Sequence, residues 1–414
     1  MKVSVITLGC KVNEYESQSI MNEFLSAGYE VGEGLIPADI YVVNTCSVTN
    51  IGDRKSRQVL AKIEKLNPKA KVVVCGCSVQ NNPDKFLSHP QVVAAIGNEG
   101  KYDILNALKH KTKKLKTVSK DYQPMLRPIS TRARQYIKIQ DGCDYFCSYC
   151  IIPYLRGRSR SRDLNDIIDE IKNTKASEIV LTGINMSDYR IDGKLALKEL
   201  IKAVDKLNVR FRISSIECNV LDDEMIDILK NSKNFCPHFH LSLQSACNET
   251  LKRMNRRYSI EQFMSIVDKL KAAFPTASIS TDIIVGFKGE TDEEFDTTLK
   301  NLQRIQFSFM HVFPYSIRTG TVASKLGGDV DKCKVKARER VLLDLDRELR
   351  TKFYDKNVNM THSVLIEETK DGKSMGYTDN YIYTYVNGKY PSGQILNVKP
   401  TEKYLDGMKG EIEQ

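Results

Sequence analysis

The sequence lacks any apolar run long enough to cross a membrane. Its longest uninterrupted apolar stretch is Val92–Ile96, whereas a membrane-spanning helix needs about 20 such residues. The opening residues, MKVSVITLGC, alternate like a strand and lack the pattern of a secretory signal. We therefore expect a soluble, cytoplasmic protein with no membrane partner.

The cysteines do not suggest disulfide pairing. There are eleven of them in 414 residues, an odd number, and without a secretory signal they indicate a reducing compartment in which disulfides are rare. Thiols in such a protein bind metal or behave as small apolar side chains. The length of the chain predicts two or three domains with proper cores.

The excess of basic residues bears on the kind of partner. The formal net charge is +10, which favours a polyanion over an acidic or uncharged partner. A solvated basic surface has the same composition, so the charge by itself does not separate the two interpretations.

Three cysteines stand close together without a fourth. Cys143, Cys147 and Cys150 form a Cys-x3-Cys-x2-Cys pattern, and structural zinc sites normally use four ligands, most often two separated pairs. Three thiolates in a compact loop suit a 4Fe-4S cluster that keeps one iron free for chemistry. The alternatives are a zinc site and a purely structural thiol loop.

This spacing, with Tyr149 directly before the last cysteine, resembles the signature of the radical S-adenosylmethionine (SAM) enzymes. The resemblance implies that Cys143, Cys147 and Cys150 are catalytic, hold a 4Fe-4S cluster, and present its free iron to SAM.

The first 110 residues predict an open parallel α/β domain. Strand-like and helical patterns alternate along them. The predicted strands cover 3–8, 40–43, 71–74 and 92–96, and the predicted helices 14–27, 54–66 and 102–109.

Further cysteines follow three of these strands. They are Cys10, Cys46, and either Cys75 or Cys77. Because ligands gather at the carboxyl ends of parallel strands, we expect these thiols to converge. The alternative is an ordinary buried cysteine in each case.

Several segments resemble the methylthiotransferases, a family of radical SAM enzymes. They include TLGCKVN, NTC and GC in the first domain, and CIIPYLRGRSRSR, STDIIVGFKGETDEEF and MHVFPYSIRTGTVA beyond it. The resemblance implies a second 4Fe-4S cluster, held by Cys10, Cys46 and Cys77.

Residues 135–352 predict a six-stranded partial barrel with helical crossovers. The predicted strands are 136–140, 178–182, 211–214, 238–242, 277–284 and 307–313, and a charged helix at 338–352 ends the unit. Polar residues follow the strands and are expected to outline a cofactor pocket, although each taken singly is also typical of a turn or cap. The candidates for SAM binding are Tyr149, Gly183, Asn185, Ser215, Glu217, Gln244 and Arg256.

Residues 353–414 predict a small all-β module. It resembles the TRAM domain, an RNA-binding barrel found in most methylthiotransferases, and the alternative is a generic β tail. Between the first two domains, 111–134 carries eight basic residues and one acidic residue and predicts an extended basic linker. This linker is either solvated or in contact with nucleic acid.

The family resemblance implies transfer of a methylthio group to an unactivated carbon. Family members modify adenosine beside the tRNA anticodon, carrying a threonylcarbamoyl or an isopentenyl group, or an aspartate of a ribosomal protein. The segments TLGCKVNEYES, RISSIE and TLKRMNRRYS resemble the threonylcarbamoyladenosine branch. An electron donor such as flavodoxin or ferredoxin is an expected partner. An iron–sulfur electron carrier and an RNA-binding protein with structural metal are the non-enzymatic alternatives.

Basic side chains just past the cysteine loop favour RNA as the substrate. Arg156, Arg158, Arg160 and Arg162 lie within seven residues, and we expect them to neutralise phosphates. A threonylcarbamoyl group carries a carboxylate, so its pocket should offer a cation or a hydroxyl group. Arg212, Ser215 and Arg256 are the candidates at the barrel rim.

Overall fold

The computed structural model describes residues 1–48, 50–110, 118–128 and 132–413. Residues 111–117 and 129–131 of the predicted basic linker therefore lie outside the described residues. The α/β class with a C-terminal all-β barrel is confirmed. None of the described helices combines the length and the apolar character needed to cross a membrane.

The N-terminal part is a five-stranded parallel sheet with the strand order β2-β1-β3-β4-β5. Its strands are β1 (Lys2–Thr7), β2 (Glu30–Glu33), β3 (Ile40–Thr45), β4 (Lys71–Gly76) and β5 (Val92–Ile96). Its helices are α1 (Lys11–Ser26), α2 (Asn50–Leu66), α3 (Cys77–Asn81), α4 (Asp84–Leu87) and α5 (Ile104–His110). The strand order reverses between β1 and β3, which is where such sheets bind ligands.

The second unit is the predicted partial barrel. Six parallel strands form it, as two three-stranded sheets joined by the bridges Phe211↔Phe235 and Ile216↔Leu241. In barrel order they are β6 (Arg134–Lys138), β9 (Glu178–Thr182), β12 (Arg210–Ile213), β13 (His238–Gln244), β14 (Ser278–Val285) and β15 (Phe309–Pro314). Short pairs lie beside them: β7 (Gln140–Asp141) with β8 (Arg160–Ser161), and β10 (Arg190–Ile191) with β11 (Lys194–Leu195).

Most helices of this unit cover the outside of the barrel, as right-handed crossovers require. The helices are α6 (Ile152–Arg156), α7 (Leu164–Lys172), α8 (Leu197–Asp205), α9 (Asp223–Asn231), α10 (Asn248–Arg253), α11 (Ile260–Ala273), α12 (Asp292–Ile305) and α13 (Lys332–Asn357). Apart from α6, whose Leu155 packs with Cys77 in a separate small cluster, their apolar faces and the outward faces of the strands form the largest core of the described chain. Capping boxes at Ser259 and Thr291 begin α11 and α12.

The C-terminal strands close into a five-stranded barrel of order β16-β17-β18-β20-β19. The strands are β16 (His362–Lys370), β17 (Lys373–Thr378), β18 (Tyr383–Asn387), β19 (Ile395–Tyr404) and β20 (Gly407–Ile412). Closure pairs every strand on both sides and leaves no free sheet edge.

The C-terminal barrel docks against the partial barrel near the amino-terminal ends of its strands. Arg212 donates hydrogen bonds to the carbonyl oxygens of Thr378 and Asp379, at 2.6 and 2.7 Å. The ring of Tyr381 stacks on His238 with a centroid distance of 4.1 Å. The C-terminal barrel therefore contributes directly to the lining of the partial barrel's interior.

Candidate functional site

Two neighbouring cavities meet at the carboxyl ends of the strands, and the larger one extends through the barrel interior to His238 and Phe309. The larger has a volume of about 620 Å³ and the smaller about 210 Å³. Ile152, Ile184 and Ser215 line both of them. The two candidate cysteine trios open into different cavities, so the shared wall brings two separate thiol sites together.

The smaller cavity is lined by Cys143, Cys147 and Cys150. The loop is held in place by backbone hydrogen bonds, from Cys150 to Cys147 at 2.9 Å and from Ser148 to Met254 at 3.0 Å. Burial raises the pKa of Cys143 to about 11 and that of Cys150 to about 12. Thiols of this kind stay protonated near pH 7 until a metal displaces the proton.

This donor set fits a three-thiolate cluster. No fourth cysteine and no histidine is among the described residues that line the smaller cavity. A zinc site would be expected to complete its coordination with one of these side chains. The chemistry of the donors therefore favours a 4Fe-4S cluster with one open iron over structural zinc.

The predicted SAM residues mostly surround the same cavity. Tyr149, Asn185, Ser215, Glu217, Gln244 and Arg256 line it, and Gly183 lines the larger cavity. Gln244 has a positive φ of 71° beside an irregularity in the β13–β14 pairing. That bulge turns its backbone out of the strand at the rim, in the manner typical of functional positions.

Arg256 connects the cavity wall to the cysteine loop. It is ion-paired with Glu217, and its Nη1 lies 3.2 Å from the Sγ of Cys147. Burial raises the pKa of Glu217, although Arg256 acts against this rise. The guanidinium also donates to the carbonyl of Ser242 at 2.6 Å, so its position is fixed by groups of the protein itself.

The larger cavity is lined by Cys10, Cys46 and Cys77. Cys10 caps the N-terminus of α1, Cys46 follows β3, and Cys77 begins α3. The ends of β1 and β3 form the switch point of the sheet, which explains why residues distant in sequence meet there. No fourth cysteine is among the described residues around this cavity.

Glycine keeps the space between these thiols open. A Cβ atom at Gly9 would lie 2.8 Å from the Cβ of Cys46 and 3.0 Å from its Sγ. Gly9 also has a φ of +113°, in a region that other residues rarely adopt. The backbone thus leaves room beside Cys46 for a bulky group, and this fits a cluster.

Cys75 lies in a different environment from Cys77. It is fully buried in the apolar core that includes Val5, Val42 and Ile96, and burial raises its pKa to about 12. Cys77 lines the cavity instead. The structure therefore places Cys77, and not Cys75, with Cys10 and Cys46.

The structure contradicts the prediction that the arginines after the cysteine loop all contact phosphates. Arg156, Arg160 and Arg162 are buried in ion pairs, with Glu16 and Asp141, with Glu99, and with Asp166 and Glu170 respectively. Arg156 also lies 3.3 Å from the Sγ of Cys77. Of the four, only Arg158 is exposed, at 72% of its side chain. Three of the four predicted phosphate contacts are therefore wrong, because these guanidiniums are already paired with carboxylates of the protein, and two of them, Arg156 and Arg160, pair with the first α/β unit.

Arg212 is also wrong as a candidate at the rim. It is only 1% exposed and is bonded to Glu178 at 2.8 Å and to the C-terminal barrel. Ser215 lies in the cavity walls as predicted. In the described part of the linker, Arg127 is likewise already paired with carboxylates, those of Asp166 and Asp169.

Sequence reasoning missed polar residues inside the larger cavity. His240, Asp282 and His311 come from β13, β14 and β15, and their potential ligand atoms lie within 4.8 Å of one another. His240 contacts Ser280 through Nδ1 at 2.9 Å and Asp282 through Nε2 at 3.3 Å. The alternation of polar and apolar residues in these strands was the available signal, because it marks an inward polar face.

Sequence reasoning also missed Lys11 as a residue of the larger cavity. Its side chain lines the larger cavity directly beside Cys10. Burial lowers the pKa of Lys11 to about 8, with further lowering by Arg134 and Arg212. This cationic surrounding favours an anion over a divalent cation in the cavity.

Comparisons with known proteins agree with the geometry. Residues 137–302 match the family model described as Radical SAM superfamily, and residues 2–97 match the Uncharacterized protein family UPF0004. A solved radical SAM methyltransferase, TsrM from Kitasatospora setae, is 14% identical with a TM-score of 0.56, over 75% of this chain and 72% of that one. The fold and the three-cysteine loop define a radical SAM protein.

Sequence relatives identify the family within the radical SAM proteins. A threonylcarbamoyladenosine tRNA methylthiotransferase (MtaB) from Bacillus subtilis is 37% identical, over 96% of this chain and 93% of its own length. A tRNA-2-methylthio-N(6)-dimethylallyladenosine synthase from Endomicrobium trichonymphae is 33% identical over the full length of both. The chain belongs to the family of radical SAM tRNA methylthiotransferases.

Proposed function

We propose that this protein converts N6-threonylcarbamoyladenosine beside the tRNA anticodon to its 2-methylthio derivative. The observation that carries the proposal is the pair of cysteine trios opening into two cavities with a common wall. Such an arrangement suits an enzyme that generates a reactive species at one site and uses it at the other. The relatives named for threonylcarbamoyladenosine, at up to 37% identity, support this nucleoside.

The residues that would hold the cofactors follow from the cavity linings. Cys143, Cys147 and Cys150 would hold one 4Fe-4S cluster, and Cys10, Cys46 and Cys77 a second. When bound, the clusters and SAM supply hydrogen abstraction and the methylthio group. Burial raises the pKa of Cys46 to about 11, so loading this site releases protons.

The protein's own contribution is to bind, orient and exclude water. Tyr149, Asn185, Glu217, Gln244 and Arg256 surround the space in which SAM would lie next to the cysteine loop. The ion pair of Arg256 with Glu217 fixes this wall before the cofactor binds. Pre-positioned polar groups of this kind need no reorganisation during the reaction.

The adenosine would enter the larger cavity from a single-stranded anticodon loop. A base splayed out of such a loop can be read on its edges by a pocket. The cavity volume of about 620 Å³ lies in the usual range for small-molecule sites. We propose that residues 353–414 act as a TRAM-like RNA-binding module, with 1–110 and 135–352 as the two α/β domains.

Two partners complete the proposal. tRNA is the substrate, and a low-potential electron donor such as flavodoxin or ferredoxin supplies the reducing equivalents. All eleven cysteines are free, which supports a cytosolic working environment.

The test uses purified holoenzyme and two anticodon stem-loops that differ only in the adenosine substituent. We expect methylthiolation of the threonylcarbamoyl stem-loop, detected by mass spectrometry of the nucleosides. Modification of the isopentenyl stem-loop alone would transfer the assignment to the dimethylallyladenosine synthases, which are also relatives of this chain. Modification of neither would reject an adenosine substrate.

A further inference from the structure

Among the described residues that line the larger cavity, one strongly basic side chain has no ion-pair or hydrogen-bond partner for its charged group. Two strongly basic side chains, Lys11 and Arg156, line it. Arg156 is fully buried, and its guanidinium is bound to Glu16, Asp141 and Asn13. Lys11, which is half-buried, forms no ion pair or hydrogen bond from its ammonium group with any described residue.

An available ammonium group is unusual in this part of the molecule. The fully buried lysines and arginines of the described chain all have carboxylate partners, as Lys101 and Lys138 both have in Glu16, at 2.5 and 2.8 Å. A partly buried cation without a partner loses hydration and gains nothing in return. A site that keeps such a group is suited to an anionic part of its ligand.

The strands that line the cavity offer hydrogen-bonding groups. His240 and His311 line it, together with Asp282. Asp282 lies 3.3 Å from His240 Nε2. These side chains suit a hydroxyl or amide group, which can donate to the carboxylate or accept from an imidazole.

The chemistry of adenine connects this lining to the substrate. Positions 2 and 6 flank the same ring nitrogen, so a base that presents C2 to the thiols also directs its N6 substituent into their cavity. Lys11 follows Cys10 directly in sequence. Both residues line the larger cavity.

We propose that Lys11 binds the carboxylate of the N6-threonylcarbamoyl group and is the residue that selects this substituent over an uncharged one. The inference rests on the proposed function and adds the recognition of the substituent. Asp282, His240 and His311 lie where they can receive the hydroxyl and carbamoyl groups. Arg212 has no part in this contact, because Glu178 and the C-terminal barrel occupy it.

The size of the selectivity follows from the bond that is lost. A hydrogen bond between charged groups is worth roughly ten- to a hundredfold in affinity. An apolar substituent would leave the ammonium group unpaired, and sites that bury a polar group reject ligands lacking its partner. We therefore expect a loss of about that size when either charge is removed.

The experiment compares Lys11→Gln, which removes the charge but keeps a polar side chain only one atom shorter, with Lys11→Arg, which keeps the charge. Both holoenzymes are titrated by fluorescence anisotropy with three stem-loops, carrying the threonylcarbamoyl group, its carboxamide analogue, or unmodified adenosine. Lys62→Gln, an exposed change on α2, is the matched control. Iron content per chain must equal that of the wild type, because Cys10 is adjacent.

For Lys11→Gln we expect threonylcarbamoyl binding to weaken at least tenfold, to the level of the carboxamide, with unmodified RNA bound as before. Lys11→Arg should restore part of the preference. Equal weakening for all three RNAs would assign Lys11 to phosphate and overturn the inference. Unchanged discrimination in Lys11→Gln would overturn it too. Wild-type enzyme that binds the three RNAs alike and modifies none would instead reject the proposed function.

Discussion

At the scale of single residues, two cysteines separated by one glycine have opposite environments. Strand periodicity would place residues 75 and 77 on the same face of the sheet. Gly76 has a φ of +96°, and a Cβ there would lie 2.6 Å from the carbonyl oxygen of Thr45. The chain therefore leaves the strand at Gly76, and Cys77 begins a helix that faces the cavity.

This geometry leads to a matched pair of variants. Wild-type protein prepared anaerobically should hold about eight irons, as two 4Fe-4S clusters. Cys77→Ser should lose about half of this iron, whereas Cys75→Ser should keep it all and lose only some stability, because a hydroxyl group enters an apolar core. Iron and sulfide analysis decides between them. Loss of iron in Cys75→Ser, with Cys77→Ser unaffected, would reverse the ligand assignment.

Arg158 and Arg162 lead to a second prediction at this scale. Arg158 is exposed beside the cysteine loop, at 3.3 Å from Asp144, so Arg158→Ala should weaken tRNA binding and lower the slope of log affinity against log salt by about one. Arg162→Ala should instead destabilise the fold by about 3–5 kcal/mol, because Glu170 is left buried without its partner. Salt titration of tRNA binding and urea unfolding measure the two effects. A reduced salt slope for Arg162→Ala at wild-type stability would contradict the structure.

At the scale of elements, the long amphipathic helices and the apolar strands could be predicted from sequence. Strand β2, EVGE, is an exposed edge strand without an apolar face, and its pattern therefore gave no signal. Helices α3 and α6 have five residues each, too few for a period of 3.6 to be visible. Helix α13 begins six residues earlier than predicted, at the Asp331 cap, because basic and uncharged residues alternate in its first turns and show no apolar period of 3.6.

The candidate site likewise has residues that could be predicted from sequence and residues that could not. The cysteines and most of the SAM pocket could be predicted, since strand ends and motif spacing are local features of the sequence. The burial of Arg156, Arg160, Arg162 and Arg212 could not. A basic side chain has the same sequence pattern whether it meets phosphate or a carboxylate from a distant element, and Glu16 is 140 positions from Arg156. Charge partners of this kind are known only after folding.

Glu178, the first residue of β9, leads to a prediction of pH dependence. Burial alone would raise its pKa, but the guanidiniums of Arg212, Arg134 and Arg210 hold the pKa of Glu178 well below its ordinary value. Its ionised form therefore stabilises the fold above about pH 4, the ordinary value, and this contribution is lost as the pH falls further towards the folded-state pKa. Glu178→Gln should destabilise the protein by about 3–5 kcal/mol at pH 7.

Urea unfolding of wild type and Glu178→Gln at several pH values measures this effect. Both proteins are first freed of iron, so that acid loss of a cluster does not contribute. The difference between them should be constant from pH 7 to about 5 and should shrink below about pH 4. A difference that does not depend on pH down to pH 2 would show that the carboxylate is not the group responsible.

At the scale of the whole molecule, the C-terminal barrel is both a predicted RNA-binding module and a structural part of the partial barrel. Asn380 donates to the carbonyl of Thr276 and to Asn357, at 2.7 and 2.8 Å. Glu367 pairs with Arg134 at 2.8 Å, and Tyr381 lines the larger cavity. These contacts hold the C-terminal barrel against the partial barrel.

Removal of residues 362–414 should therefore do more than weaken tRNA binding. It takes away two carbonyl acceptors of Arg212 and the Glu367 partner of Arg134, and each buried polar group left without a partner costs roughly 1–3 kcal/mol. We expect the truncated protein to melt at a clearly lower temperature than the full chain, although all six cysteines of the trios remain. The control is Lys389→Gln within the C-terminal barrel, which keeps every one of these contacts and should leave the melting temperature unchanged. A truncated protein that melts like the full chain would mean that the two barrels fold independently, and the loss of tRNA binding would then report on RNA contacts alone.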